Sequence, residues 1–357
     1  MAYVELYKKK LAHNYAYLDV LFALNGKEWA VVSKLFCGTK VYIKELIDLG
    51  AKEICDSRIS NLKIVKSFDE TVQTVYIKPP AKRSIKNIVK YADVSFNSEL
   101  STIRLLSEEA VLQNKIHKII IMIEMGDLRE GVMGENLMEF YGGIFQLPNI
   151  SITGLGTNLN CLNGVLPSPD KLIQLSLYKE LIEAKFKCKI PWVTGGTSVI
   201  LPMLIAKQLP QGVNHFRIGE TLFFGNDLIS GKPIKVMHQD VFRLFAEIIE
   251  IAEKPLYPTG EINENTTGES YLSNEKDLSK TTHRAIIDVG LLDISSDYLI
   301  PDDVEISFIG ASSDMLVVDL GKSKNKYKVG GLVSFTLKYM GALRLFNSYY
   351  VEKRLVD

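Results

Sequence analysis

The chain has few cysteines and no surplus of charge of either sign. Its four cysteines in 357 residues, Cys37, Cys55, Cys161 and Cys188, show no C-x-x-C spacing. That pattern suits neither a zinc site nor a disulfide framework in a chain this long, so all four are read as thiols. Lys and Arg (42) balance Asp and Glu (42), which leaves no whole-molecule field to gather nucleic acid or an anionic membrane. No stretch approaches about 18 uninterrupted apolar residues. The opening residues Met1-Ala2-Tyr3-Val4-Glu5-Leu6-Tyr7-Lys8 hold no apolar segment behind a basic one, and the expectation is a cytoplasmic protein. The five histidines, His13, His117, His215, His238 and His283, lack metal-ligand spacing, and neither G-x-S-x-G nor H-E-x-x-H occurs; metal-dependent and serine hydrolysis lose ground. With 46% hydrophobic and 24% charged residues, the chain can bury a large core, and disorder as its main state is excluded.

What is present is alternation. Over residues 1–226, short β-rich runs alternate with stretches of helical period. The runs are Ala30-Val31-Val32-Ser33, Glu53-Ile54-Cys55, Thr74-Val75-Tyr76-Ile77, Asp93-Val94-Ser95-Phe96, 118–123, 150–155, Trp192-Val193-Thr194 and His215-Phe216-Arg217-Ile218. Segments such as 41–49 and 98–112 between them carry apolar residues near i, i+3, i+4 and i+7. Eight such units match a closed (β/α)8 TIM barrel better than an open doubly wound sheet. From 227 to 357 the pattern changes to β-branched and alternating runs at 246–251, 285–289, 304–309, 316–319 and 332–337, without long helices between them. They predict a C-terminal all-β domain, which the first ~10 residues are free to join. Residues 259–282 are rich in Gly, Asn, Glu, Ser and Thr and read as an exposed, mobile loop.

In such a barrel the chemistry belongs to the C-terminal ends of the strands. Lys34 closes the first run. Following Trp29-Ala30-Val31-Val32, it is expected to be partly desolvated, which favours Schiff-base chemistry; the alternative is a solvated lysine at a strand end. The seventh run ends Thr194-Gly195-Gly196-Thr197-Ser198 before the apolar helix predicted over 199–204, offering hydroxyls and free N–H groups as a phosphate cradle, or an ordinary capped helix start. The eighth ends Arg217-Ile218-Gly219-Glu220. Arg217 can bind phosphate, donate to a ring nitrogen, or simply pair with Glu220. Gly126-Asp127-Leu128-Arg129-Glu130-Gly131 puts a second arginine at the mouth, where a local surface ion pair is the simpler account. Gly156-Thr157-Asn158-Leu159-Asn160-Cys161 adds amide, hydroxyl and thiol groups; most structural cysteines are inert.

Taken in order, several stretches resemble the fold-type III pyridoxal-phosphate enzymes of the alanine racemase superfamily, and among them its ornithine racemase branch. They are Val32-Ser33-Lys34-Leu35-Phe36-Cys37, Cys55-Asp56-Ser57-Arg58-Ile59-Ser60-Asn61-Leu62-Lys63, Phe96-Asn97-Ser98-Glu99-Leu100, the 126–131 motif, Gly195-Gly196-Thr197-Ser198, Arg217-Ile218-Gly219-Glu220 and Gly310-Ala311-Ser312-Ser313-Asp314. The resemblance implies that Lys34 holds pyridoxal 5'-phosphate and, once freed, acts as a base at the substrate Cα. It implies a phosphate cup of Gly195, Gly196, Thr197 and Ser198, with Gly219 and Glu220 near it and Tyr339 reaching the phosphate. It places Arg129 at the cofactor's phenolic oxygen and Asn158 at the position of a histidine packed on the pyridine ring.

Arg217 matches the arginine that donates to the pyridine nitrogen in racemases, where the related decarboxylases present a carboxylate. A guanidinium only donates, so the ring nitrogen stays unprotonated, a mode that by resemblance accompanies racemisation. The chain departs from the family at Gly290-Leu291-Leu292-Asp293, where alanine racemases have a catalytic tyrosine in Gly-Tyr-x-Asp, lent by the partner subunit. Leucine exchanges no proton, and a two-base racemase needs a group on each face of Cα. Cys161 is the nominee, Asp293 the second choice and Cys37 the third. The expectation is a homodimeric racemase of a diamino acid such as ornithine, the partner's β-domain closing the site. A basic amino-acid decarboxylase, a non-catalytic pyridoxal-phosphate carrier and a pure interaction scaffold are the rivals.

Overall fold

The computed structural model describes residues 2–261, 263 and 280–357, so most of the loop expected at 259–282 lies outside the described residues. The chain forms two compact units, Lys9–Gln239, and Met1–Lys8 together with Asp240–Asp357.

The first unit is a closed barrel of parallel strands, preceded in the chain by β1 (Tyr3–Tyr7) of the second unit. Its strands are β2 (Glu28–Val32), β3 (Glu53–Asp56), β4 (Gln73–Tyr76), β5 (Val94–Asn97), β6 (His117–Met122), β7 (Ile150–Gly156), β8 (Trp192–Thr194) and β9 (His215–Ile218). Every β-rich run of the first half becomes one of these strands, and β9 closes the ring on β2 with Glu28 opposite His215 and Val31 opposite Ile218. Helices cover the outside, among them Lys40–Asp48, Leu100–Leu112 and Pro169–Phe186. The interior holds Ala30, Val32, Cys55, Val75, Val94, Phe96, Ile120 and Met122. On β7 two inward positions are glycines. A Cβ on Gly156 would lie 2.5 Å from Thr194 Cγ2 and 3.0 Å from Met122 Sδ, and one on Gly154 would lie 3.0 Å from Trp192 Cβ. These absent side chains leave room for the bulkier residues of β6 and β8 on either side.

The first unit runs on past Asn226, where the sequence pattern changes, to Gln239. Residues 226–239 are held to it by backbone and amide bonds. Asn226 bridges Pro233, Ile234 N donates to Gly225 O at 2.8 Å, and Asn14 brackets His238 through Nδ2 to its carbonyl (2.9 Å) and Oδ1 to its N–H (2.8 Å).

The second unit is antiparallel except where β1 pairs in parallel with β16 (Glu352–Val356). The 14-residue β10 (Phe242–Pro255) is its spine. It pairs with β1 and β15 (Leu332–Leu337) in its first half and β11 (Thr281–Ile287) in its second, with a bulge between Ile248 and Glu250. β12 (Leu299–Pro301) extends the β15 side, and β14 (Leu316–Asp319) with β13 (Ser307–Ala311) the β11 side. The run expected at 304–309 starts later than its β-branched residues suggest, because 303–306 turns, with Ile306 N bonded to Asp303 O at 3.0 Å and Val304 91% exposed. The helix expected at 199–204 opens as a 3₁₀ turn, Ser198–Ile200, before Leu201–Ile205.

Two predictions follow from the barrel. A Gly156→Ala methyl meets Thr194 and Met122 inside a packed layer, so it should cost about 1–3 kcal/mol, read as a lower urea midpoint with unchanged m; an unchanged midpoint would contradict the packing. His117, buried with Nε2 2.8 Å from Ser95 Oγ, has its pKa lowered from 6.5 to about 4, chiefly by burial, with Lys115 adding and Asp93 opposing. A depressed folded value makes its contribution complete above pH ~6.5 and lost as pH falls to about 4, a change of about 3 kcal/mol. His117→Gln should flatten that stretch of the stability profile relative to the parent protein; parallel profiles would contradict it.

Candidate active site

The β2 strand ends at Val32, and the chain enters a one-turn 3₁₀ helix, Lys34–Phe36. Ser33 is buried and ties this turn to the end of β3, its N–H to Cys55 O at 2.9 Å and its hydroxyl to Asp56 Oδ2 at 2.8 Å. Asp56 also accepts from Arg58 N (2.8 Å) and Asn61 Nδ2 (3.1 Å). Burial raises its pKa, and these donors pull against that rise. The polar members of the 55–63 motif thus serve as a buttress for the Lys34 turn. Lys34 itself is exposed. The expected desolvation does not occur, because Ser33 takes the inward position and the lysine starts a turn that opens at the C-terminal end of the barrel. Glu220 stands close enough for the Lys34 ammonium to lower its pKa, although burial raises it overall.

Arg217, on β9, is 1% exposed inside the barrel. Its guanidinium donates to Thr194 Oγ1 through NH1, and through NH2 to Thr157 O at 2.8 Å and Asn158 Oδ1 at 2.7 Å. It lies 5.0 Å over the Phe96 ring. Every acceptor is neutral, so the ion pair with Glu220 that the sequence allowed is not formed. Burial lowers its pKa, while Glu130 among its neighbours pulls upward; an arginine remains a cation in any case. Cys55 beneath it is driven well above the usual thiol range by burial and by Glu53, and stays a thiol.

The expected Arg129–Glu130 pair forms, with NH2 to Oε1 at 2.6 Å and Nε on Oε2. It is more than a surface contact, because Glu130 Oε1 also accepts from Asn158 Nδ2. Asn158 therefore bridges Glu130 and Arg217, linking the loop after β6 to β9. The neck of that loop is closed by a bridge between Ile123 and Val132. Gly131 sits there at φ +144°, its Cα so near Glu124 N that a Cβ would lie at 2.3 Å, and only glycine is accommodated.

Asp127 is the residue the sequence reading did not single out. Buried, it accepts backbone N–H bonds from Cys161 (3.0 Å), Leu162 (2.9 Å), Asn163 (3.1 Å) and Val165 (3.3 Å). Burial alone would raise its pKa; the four donors outweigh that and lower it. This carboxylate folds the loop that carries Cys161, whose exposed thiol lies near enough to Arg129 and Arg217 to bear on both charges. An aspartate 34 residues before Cys161 gives no local signal of such a role.

The turn after β8 joins the end of β9. Gly196 O accepts from Arg217 N at 3.0 Å, and the buried Ser198 hydroxyl accepts from Gly219 N (3.3 Å) and Thr221 N (3.2 Å). Gly195 and Gly196 are buried, while Thr197, Gly219 and Glu220 are half-buried. The sequence-predicted residues Lys34, Arg129, Asn158, Cys161, Gly195, Gly196, Thr197, Ser198, Arg217, Gly219 and Glu220 all follow or end barrel strands at this one end. Tyr339 and Asp293 belong to the second unit. Tyr339 is half-buried and starts the helix Tyr339–Asn347. Asp293 accepts from Ser348 Oγ at 2.5 Å. It closes the turn in which Leu291 N and Leu292 N bond Ser312 O and Ser313 O at 3.0 and 2.9 Å, so the Gly290–Asp293 and Gly310–Asp314 stretches form one local structure.

Removing the Asp127 carboxylate leaves four N–H groups without their acceptor. Asp127→Ala is expected to speed limited proteolysis within 159–165 by at least about tenfold, the equivalent of one lost hydrogen bond's worth of loop stability. An unchanged cleavage rate would show that the loop is held by other means.

Among known proteins, the family model described as "Alanine racemase, N-terminal domain" matches residues 7–227. The chain is 36% identical over 348 residues to the ornithine racemase of Acetoanaerobium sticklandii, covering 97% of each chain. It is 30% identical to the lysine racemase of Thermotoga maritima, covering 97% of this chain and 96% of that one. Its fold matches the solved alanine racemase from Streptomyces coelicolor with a TM-score of 0.77 at 14% identity, over 100% of this chain and 98% of that one. The barrel, the residues gathered at its C-terminal end and these matches together establish that the chain belongs to the alanine racemase family.

Proposed function

We propose that the protein is a pyridoxal-phosphate-dependent amino-acid racemase that interconverts the L- and D-forms of a diamino acid, ornithine or lysine, and works as a homodimer in the cytoplasm. The observation that carries the reading is Arg217, a buried cation whose hydrogen-bond acceptors Thr194, Thr157 and Asn158 are all neutral. The likeness to ornithine and lysine racemases supports the substrate class, and four free thiols suit a reducing compartment. No helix among the described residues is long and apolar enough to cross a membrane.

The donor set suits pyridoxal 5'-phosphate. Lys34 offers an exposed primary amine for the aldehyde carbon. Thr197, Ser198 and the N–H groups around Gly195 and Gly196 would hold the phosphate, with Gly219 and Glu220 near it. Arg129 would meet the phenolic oxygen, Asn158 would pack on the ring, and Arg217 would donate to the ring nitrogen. When bound, the cofactor supplies the electron sink that lets the substrate Cα give up its proton.

The chain's own groups then decide the outcome. Lys34 removes or returns the proton on one face of Cα. Cys161 does so on the other, which inverts the centre; Asp293 and then Cys37 are the next candidates. Arg217 keeps its proton, so no acid competes at the ring nitrogen and the proton returns to Cα. A carboxylate there would make that position protonatable, the arrangement the decarboxylase alternative needs.

Absorbance and product analysis test this. The purified protein should show a band near ~420 nm that Lys34→Ala abolishes, and should convert L-ornithine or L-lysine to the D-form by chiral chromatography. No band after addition of cofactor, or released carbon dioxide in place of D-product, would overturn the reading. Cys161→Ala should lower kcat by about 100-fold or more; at least half of the parent turnover would remove Cys161 from the role and pass it to Asp293. Sedimentation at micromolar concentration should give a dimer, and a monomer would contradict the shared site.

A further inference from the structure

Below Arg217 the barrel interior holds a polar column that none of the roles above uses. Thr194 Oγ1, which accepts from Arg217 NH1, is 3.0 Å from His215 Nδ1. His215 Nε2 is 3.1 Å from Glu53 Oε1, and Glu53 Oε2 accepts from Gln73 Nε2 at 2.9 Å. Thr194 and His215 are 0% and 1% exposed, and the imidazole lies stacked on Trp192 with ring centroids 4.6 Å apart. We propose that His215 and Glu53 are positioning residues that fix the Arg217 guanidinium through the Thr194 hydroxyl, by a hydrogen-bond chain with only one consistent direction.

The direction follows from donor and acceptor capacities. A guanidinium only donates, so Arg217 occupies a lone pair of Thr194 Oγ1. Among the described residues the Thr194 hydroxyl proton has one acceptor in reach, His215 Nδ1. That nitrogen is therefore unprotonated, Nε2 carries the imidazole proton, and the Glu53 carboxylate accepts it. A protonated His215, or the other tautomer, would donate Nδ1–H to the second lone pair of Thr194 Oγ1 and leave the buried hydroxyl proton without an acceptor, which interiors avoid, and the other tautomer would also set the bare Nε2 against the Glu53 carboxylate. The chain runs from the carboxylate through Nε2–H and the Thr194 O–H to the arginine. Two neutral groups separate Glu53 from Arg217, so the guanidinium is oriented without being paired with an anion, and its charge is left for whatever the barrel mouth binds. The catalytic consequence rests on the proposed role of Arg217; the hydrogen-bond order does not.

Two measurements separate these. In the 15N-labelled protein without cofactor at pH 7, long-range imidazole correlation should show His215 as the Nε2–H tautomer, assigned by its loss in His215→Gln or by elimination against His13, His117, His238 and His283. Thr194→Val should disturb that pattern and Thr194→Ser restore it. An Nδ1–H tautomer, an imidazolium, or a spectrum indifferent to Thr194→Val would overturn the chain. In the cofactor-loaded enzyme, Thr194→Val should lower kcat about tenfold with KM within about twofold and shift the cofactor's absorption band, both reversed toward the parent in Thr194→Ser. Unchanged kcat and band would overturn the positioning role. A protein that takes up no cofactor would refute the racemase reading instead, and the tautomer result would still decide the hydrogen-bond order.

Discussion

A permanent positive charge lies inside a closed β-barrel, and much of the barrel is arranged to hold it. Taking a guanidinium out of water costs several kcal/mol even after relaxation, and Arg217 at 1% exposure bears nearly all of that cost. The barrel offsets it without an adjacent carboxylate. A hydroxyl, a carbonyl and an amide oxygen accept its hydrogen bonds, the Phe96 face lies beneath it, and the missing side chains of Gly154 and Gly156 give the layer its space. A hydrophobic residue of similar size would fill a barrel interior at lower cost, so a cation kept here and left unpaired is best understood as serving a ligand.

The loops that carry the reactive groups are built by a common device. Asp56 receives Ser33, Arg58 and Asn61 and thereby holds the Lys34 turn. Asp127 receives four backbone N–H groups and holds the Cys161 loop. In each case a buried carboxylate satisfies donors that a loop would otherwise offer to water, so an exposed amine and an exposed thiol are presented from rigid backbone. Glu130 and Asn158 join the second loop to Arg217, so the two arginines of the mouth share one hydrogen-bonded network.

The barrel was legible because each strand is a compact β-rich run set off by helical period, and burial on both faces leaves little ambiguity of register. β12 and β16 were not, and of β1 only its place in the second unit was. They are short, and their pairing is with residues far away in the chain, such as Tyr3 with Phe245 and with Glu352. Position along the chain also located the candidate site, since strand ends are where barrels place their chemistry. What sequence could not supply was direction. It suggested that Lys34 is desolvated, but Ser33 holds the inward place. It allowed Arg217 to pair with Glu220, three positions away across a helix start, whereas the partners come from β8 and the residues just after β7. The role of Asp127 depends on backbone N–H groups brought together only by folding, and that of Asp56 on a hydroxyl from the neighbouring strand end as well as on Arg58 and Asn61 of its own motif.

The central claim is that this chain moves a proton on and off Cα and returns it to the opposite face. The most direct measurement is incubation of L-ornithine, and separately L-lysine, with the enzyme in D2O, followed by chiral separation and mass analysis of the recovered amino acid. The account predicts D-enantiomer carrying one deuterium at Cα from at least one of the two, with no loss of carbon dioxide. Recovery of unlabelled L-substrate alone from both, in protein shown to hold the cofactor, would contradict it.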